Sequence, residues 1–190
     1  VNISTWIELR DITKEEIQRA KDSRKSIDKS RGRNIFESKG RWIGEDIGEG
    51  RFEEWLIKIK IVNQRNKEAH APYDFIVNYK TIDVKTNEND WHPTKSPDTY
   101  RFLVDKSQVD KGTDIDYYVS LMIHENKIWF CGFVSRAKLL TYPKVRHNTL
   151  SCAIPFLHLD KPREFKQKML ELKDPTISEA FGYEDEEDSA

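Results

Sequence analysis

From Asp74 to Lys85 the chain reads Asp-Phe-Ile-Val-Asn-Tyr-Lys-Thr-Ile-Asp-Val-Lys. Two short runs of β-branched and aromatic residues flank a polar break, the pattern of a β-hairpin. Side chains alternate across a strand, and facing residues share a side of the sheet. With an even loop, two residues at 79–80 or four at 78–81, Val77 pairs with Ile82 and Asp74 with Lys85. One face then carries Phe75, Val77, Ile82 and Val84, an apolar set that must be buried. The other face carries Asp74, Ile76, Asp83 and Lys85. Any fold for this chain must cover the first face and leave room on the second for two carboxylates and an ammonium.

The flanking sequence supplies the rest of a layered domain. Thr13 and Glu16 have capping-box spacing and open a polar helix running to about Arg31. Phe52, Trp55, Leu56 and Ile59 form an i, i+3, i+4, i+7 stripe on a second helix that should pack on a sheet. Residues 86–98, with Asn, Asp, His and two Pro, read as a loop. Strands follow at 100–104, 117–123 and 127–134, with a turn or short helix at 107–112. Ser135 caps a short helix to Leu140. Asp160, with Pro162 in the first turn, opens a last helix to about Lys173. Strands in the middle with helices on both sides place the chain among α/β or α+β proteins. The expected organisation is a basic helix and loop over 1–44, a core over 45–173, and an acidic, disordered tail over 174–190.

Composition narrows the function classes. At 190 residues, with five Trp, seven Tyr and nine Phe, the chain can bury a real core, which excludes full disorder. No run of apolar residues is long enough for a membrane span, and the first residues lack a secretory pattern, so no membrane partner and a cytoplasmic location are expected (a host cytoplasm, for a viral chain). Cys131 and Cys152 give neither a disulfide framework nor a zinc site, and Cys131 reads as a small core residue. The net charge of −1 hides an asymmetry. Residues 174–190 hold seven acids and no Lys or Arg, whereas Arg19–Arg41 holds nine Lys or Arg against three acids. Such a basic segment suits a polyanionic partner, and equally a solvated helix face.

The carboxylate-bearing face carries the chemistry. Two nearby carboxylates resist ionising together unless a cation sits between them. Hard divalent ions bind one or two carboxylates, keep waters and accept phosphate oxygens. A neighbouring Lys can orient or deprotonate the attacking water and stabilise charge on phosphorus. Acid-x-Lys alone is a weak signal, since the chain also has it at Glu37/Lys39, Glu125/Lys127, Glu164/Lys166 and Glu171/Lys173. Only Asp83-Val84-Lys85 lies in a β-branched strand with an Asp on the strand before it and an acidic helix upstream.

Ala71-Pro72-Tyr73-Asp74 followed by Ile82-Asp83-Val84-Lys85-Thr86 resembles the core of the PD-(D/E)xK, or restriction endonuclease-like, nucleases. Gly48-Glu49, with Phe52 and Leu56 at +3 and +7, resembles that family's first core helix. The likeness covers about residues 45–140 and departs at Tyr73, which splits the Pro-Asp pair. It implies an α/β fold with a central mixed β-sheet flanked by helices. It implies a Mg²⁺- or Mn²⁺-dependent deoxyribonuclease, with Asp74, Asp83 and the Val84 carbonyl as metal ligands and Lys85 acting on water. Many members work as homodimers on DNA.

The helix acid is open. Glu45 and Glu49 fall near the apolar stripe, Glu53 at its edge, and Glu54 points away; Glu49 ranks first as catalytic and metal-binding residue and Glu53 second, against ordinary helix-start acids. Arg24, Lys25, Lys29, Arg31 and Arg33 are candidates to track a DNA backbone, and Trp91 and His92 to stack on or touch nucleic acid. Lys106, Ser107 and Gln108 read as turn residues that could reach a phosphate, and His124 and His158 as structural. Two other readings fit the same residues: a non-catalytic nucleic-acid-binding module on this fold, and a protein-interaction module using the basic arm and acidic tail.

Overall fold

A computed structural model describes residues 5–31, 44, 47–67, 71–88, 100–111, 114–146 and 150–171, with only the backbone of 23–31. The fold is mixed α/β, a curled mixed sheet with flanking helices. Helix α1 spans Lys14–Arg31 and α2 spans Glu49–Lys58. Strands β1 (Ile7–Glu8), β2 (Asn63–Arg65), β3 (Phe75–Val77), β4 (Lys80–Glu88), β6 (Tyr117–His124) and β7 (Lys127–Ser135) form one six-stranded sheet in the order β1-β7-β6-β4-β3-β2. Only the β4–β6 pairing is parallel. A second, antiparallel sheet has the order β5-β9-β8, with β5 at Arg101–Asp105, β8 at Lys144–Arg146 and β9 at Leu150–Pro155. Short helices α3 (Lys106–Lys111), α4 (Arg136–Leu140) and α5 (Phe165–Leu170) complete it. Among the described residues no helix is long and apolar enough to cross a membrane.

The large sheet is apolar on both faces, and each face has its own core. Phe52, Trp55 and Leu56 of α2 and Phe165 of α5 pack with Phe75, Val77, Ile82, Val84, Val119, Leu121 and Phe130. On the other face the second sheet and α3 and α4 bring Phe102, Val104, Val109, Leu139, Cys152 and Ile154 against Tyr118, Met122, Trp129 and Cys131. The alternation along β7 would send Phe130 and Phe133 to opposite sides. A bulge at Cys131 corrects this: Ser120 pairs with Gly132, but Leu121 pairs with Phe130. The extra residue resets the parity, and both phenylalanines reach the first core. At Gly132 a Cβ would stand 2.7 Å from Leu159 Cβ and 2.8 Å from the Asp160 carbonyl, so glycine is required for that close approach.

Helix α1 starts as its capping box predicts, with Glu16 N–H donating to Thr13 Oγ1 at 3.2 Å and Thr13 N–H to Glu16 Oε2 at 2.8 Å. The same Glu16 binds the buried guanidinium of Arg51 at 2.6 Å, and Arg51 also donates to the carbonyls of Arg10 and Asp11. Arg51, with Arg10 bridging Glu16 and Glu54, thereby ties α2 to the segment that leads into α1. The Arg51 guanidinium, with Thr13 N–H and Arg10, holds the Glu16 carboxyl down at about 2. Its stabilisation is present above the ordinary carboxylate range and is lost as pH falls through about 4 toward 2. Arg51→Met should therefore cost about 2 kcal/mol, because it takes the buried guanidinium from two carbonyls and from a partly exposed carboxylate that keeps only Arg10 and Thr13 N–H. Denaturant midpoints at pH 7 and pH 3 check this, with the deficit smaller at pH 3.

Several expectations are corrected. The hairpin turn lies at Asn78–Tyr79, so Val77 pairs with Lys80 and Phe75 with Ile82; Val77 does not face Ile82, nor Asp74 Lys85. Asn78 (φ 47°) and Tyr79 (φ 64°) both take the left-handed conformation of a two-residue primed turn. Contacts to α5 set the position of this turn. Buried Lys80 donates from Nζ to the carbonyls of Lys168, Met169 and Glu171, and Asn78 Nδ2 donates to the Met169 carbonyl. Both satisfy the carbonyl end of α5. The shift is two residues in register, so the assignment of side chains to the two faces survives it. Residues 86–88 are not loop but the end of β4, paired with β6 as far as Glu88 and Ile123. The last helix is a 3₁₀ turn at Pro162–Glu164 followed by α5, ending at Leu170 rather than Lys173.

Candidate metal and phosphodiester site

The second face of β4 meets the end of β3, and there the candidate residues gather. The β3–β4 ladder stops at Phe75↔Ile82. Asp74 N–H still donates to the Ile82 carbonyl at 2.9 Å, and the Asp74 carbonyl accepts from Asn66 N–H at 2.7 Å. The Asp74 side chain then turns onto β4, where Oδ2 accepts from Val84 N–H at 2.6 Å. The N–H and C=O of one strand residue leave the same edge. The Val84 carbonyl therefore points to this edge too, beyond the last β3 pair.

Asp83 is buried and lies beside Tyr118 in the parallel register, while Lys85 lies beside Ser120. Lys85 Nζ grips both Asp83 oxygens, at 2.7 Å to Oδ2 and 3.0 Å to Oδ1. Glu49 comes from the opposite side, at the first turn of α2, and is also buried. It reaches the site because α2 starts hard against β4: a Cβ on Gly48 would stand 1.9 Å from Thr86 Oγ1. Only glycine permits this approach of helix to strand.

The charges of Asp83 and Glu49 both act on Asp74. The Asp74 carboxyl is pushed up to about 8, first by burial, then by the charges of Asp83 and Glu49; Val84 N–H and Lys85 pull it back. Arg65 on β2 offsets part of this negative charge, with NH2 3.0 Å from Glu49 Oε2 and NH1 3.2 Å from Glu53 Oε2. Asp74, Asp83, Lys85 and Glu49 are thus brought together. Glu53 stands one turn further along α2, more exposed and tied to Arg65. Glu54 faces away and belongs to the Arg10 and Arg51 network.

The donor set suits a hard divalent ion. The two aspartates and the strand-edge Val84 carbonyl are all oxygen, and a carboxyl raised first by burial and then by two neighbouring negative charges would be relieved by a cation beside it. Among the described residues no three Asp, Glu, His or Cys side chains form a group that could hold a metal ion. Mg²⁺ is also bound through one or two carboxylates, with waters and phosphate oxygens filling its other positions. Lys85 would have to release Asp83 for an ion to bind there.

Arg65 escaped the sequence reading: it sits in a polar three-residue strand with no alternation to mark it. Trp91, His92, Arg33 and Glu45 lie outside the described residues, and of Arg24, Lys25, Lys29 and Arg31 only the α1 backbone is described. Lys106 pairs with Asp110 and Ser107 N–H bonds Asp105 Oδ1, so the start of α3 is held by its own neighbours. Comparison with family models, with curated proteins and with solved structures found no match.

Proposed function

We propose that the chain is a divalent-metal-dependent nuclease, hydrolysing phosphodiester bonds in DNA, of the PD-(D/E)xK kind that its sequence resembles. The observation that carries this reading is the Asp74 carboxyl bound to Val84 N–H within the field of Asp83 and Glu49, with Lys85 on Asp83. The order of parts supports it: α2 with Glu49, β3 preceded by Asp74, β4 with Asp83-Val84-Lys85, then α3 and the parallel β6. Asp74, Asp83 and the Val84 carbonyl would hold Mg²⁺ or Mn²⁺, and Glu49 would bind a water of its shell. The ion would supply a more acidic water and positive charge for the phosphate. Lys85, once off Asp83, keeps its ammonium within reach of the attacking water and the phosphorus oxygens. Arg65 holds Glu49 in place through their ion pair. The basic segment around Arg24–Arg33 would follow the DNA backbone.

The test is a cleavage assay on plasmid, linear and branched DNA with Mg²⁺, Mn²⁺, Ca²⁺ or a chelator. The expected result is cleavage with Mg²⁺ or Mn²⁺ that chelator and Asp83→Ala both abolish. Retention of DNA without any cleavage, unaffected by chelator, would instead favour the non-catalytic binding module. Cleavage by Asp83→Ala at the parent rate would remove the site assignment.

A further inference from the structure

Ser120 is fully buried, and its Oγ has no hydrogen-bond partner. A buried hydroxyl left unpaired is costly, so its position calls for a physical reason. The neighbours of Ser120 can be read from the sheet. Along β6 the residues on its own face are Tyr118 and Met122, both part of the second core. Across to β7 its register partner is Gly132, which brings no side chain. Across to β4 its partner is Lys85, on the same face in a parallel pair. Side chains so placed have Cβ atoms about 5 Å apart, well within the reach of a lysine stem. Lys85 is thus the one polar side chain among these four neighbours able to come to it with a hydrogen-bond donor, apart from the Tyr118 hydroxyl, which is itself buried without a partner.

Lys85 donates to Asp83 through both carboxylate oxygens. A cation on Asp83 must displace that ammonium, which then needs another acceptor. We propose that Ser120 is the positioning residue for Lys85: its Oγ accepts from Nζ when a divalent ion takes Asp83, holding the ammonium beside the site instead of releasing it to solvent. This rests on the nuclease-site reading and deepens it. Ser120 touches neither ion nor substrate, and it acts only through Lys85.

The experiment is a double-mutant cycle on the full chain, reading Ca²⁺ and Mg²⁺ affinity by titration calorimetry, with thermal unfolding of the metal-free proteins alongside. Ser120→Ala should weaken ion binding by about tenfold or more, the worth of one hydrogen bond to a charged group. The same change made in a Lys85→Met chain should have no effect on ion affinity, because the ammonium it serves is gone. Metal-free Ser120→Ala should unfold at or above the parent temperature, since it removes an unpaired hydroxyl. Ser120→Thr, which keeps the hydroxyl, should bind ions as the parent does. Equal affinity in parent and Ser120→Ala, or an equal loss with and without Lys85, overturns the proposal while the metal site stands. A parent that binds neither ion overturns both the site reading and this inference.

Discussion

In the proposed nuclease, replacing Lys85 by methionine will lower metal-dependent cleavage by about two to four orders of magnitude and, at the same time, tighten divalent-ion binding. The two effects have one cause. In the metal-free protein Lys85 Nζ holds both oxygens of Asp83, so an incoming ion must first break a bidentate, half-buried ion pair. Methionine keeps the length and much of the apolar stem but removes the competitor, leaving Asp83 free for the ion. On the proposed reading the chemistry loses the charged group that would orient the attacking water and meet the phosphorus oxygens. A loss of about 10²–10⁴ in rate is usual for one such proton-handling or charge-stabilising group. Single-turnover cleavage at saturating Mg²⁺, set beside calorimetric ion affinity, separates the effects. A variant that loses rate because it loses the ion would show weaker binding, the opposite sign. Lys85→Arg is the informative companion: it keeps the charge but not the compact, mobile ammonium, so it should recover ion competition and little of the rate.

The face logic that singled out Lys85 was legible because strand periodicity tolerates an error of two residues. An even loop assigns Asp74, Asp83 and Lys85 to one side wherever the turn falls, and the true turn at Asn78–Tyr79 moved the register by two without exchanging the faces. Local sequence could not place that turn. It carries no glycine, and its position is fixed from outside by Asn78 and Lys80 binding the carbonyls of α5, some ninety residues later. The start of α1 and the packing stripe of α2 were equally local and equally readable. Strand β2 was not, since Asn63-Gln64-Arg65 has no apolar face to declare it. Nor was β9, where Ser151, Cys152 and Ala153 are small buried residues with no apolar alternation to mark a strand. Glu49 could be ranked from its place on the helical wheel. Arg65 and Ser120 acquire meaning only from the pairings β2–β3 and β4–β6, which no local pattern encodes. The site is legible as far as its own strand and helix periodicities reach, and tertiary pairing supplies the rest.

Asp74→Asn will stabilise the metal-free protein at alkaline pH while removing its response to divalent ions. The Asp74 carboxyl sits near 8 in the folded chain against an ordinary 3.8, chiefly because it is buried and then because Asp83 and Glu49 repel a further negative charge. Between about pH 4 and pH 8 the folded protein therefore holds a proton that the unfolded chain has released. Stability must fall as pH rises through that window and level off above it. Asparagine is neutral throughout, so the variant escapes this fall. Its advantage over the parent should be absent near pH 4, grow with pH, and reach on the order of 2 kcal/mol or more by pH 8.5. For a chain of this length that is about 4–8 °C in unfolding temperature. An ion at the site reverses the balance for the parent, because it binds the deprotonated carboxylate and displaces the proton. Mg²⁺ or Ca²⁺ should therefore raise the parent's unfolding temperature more at pH 8.5 than at pH 6, with proton release visible as a buffer-dependent binding enthalpy, and should leave Asp74→Asn almost unmoved. Were the parent's stability flat between pH 5 and pH 8 and its ion response independent of pH, Asp74 would not be a carboxyl held neutral by its neighbours. The electrostatic case for a cation between Asp74 and Asp83 would then be lost.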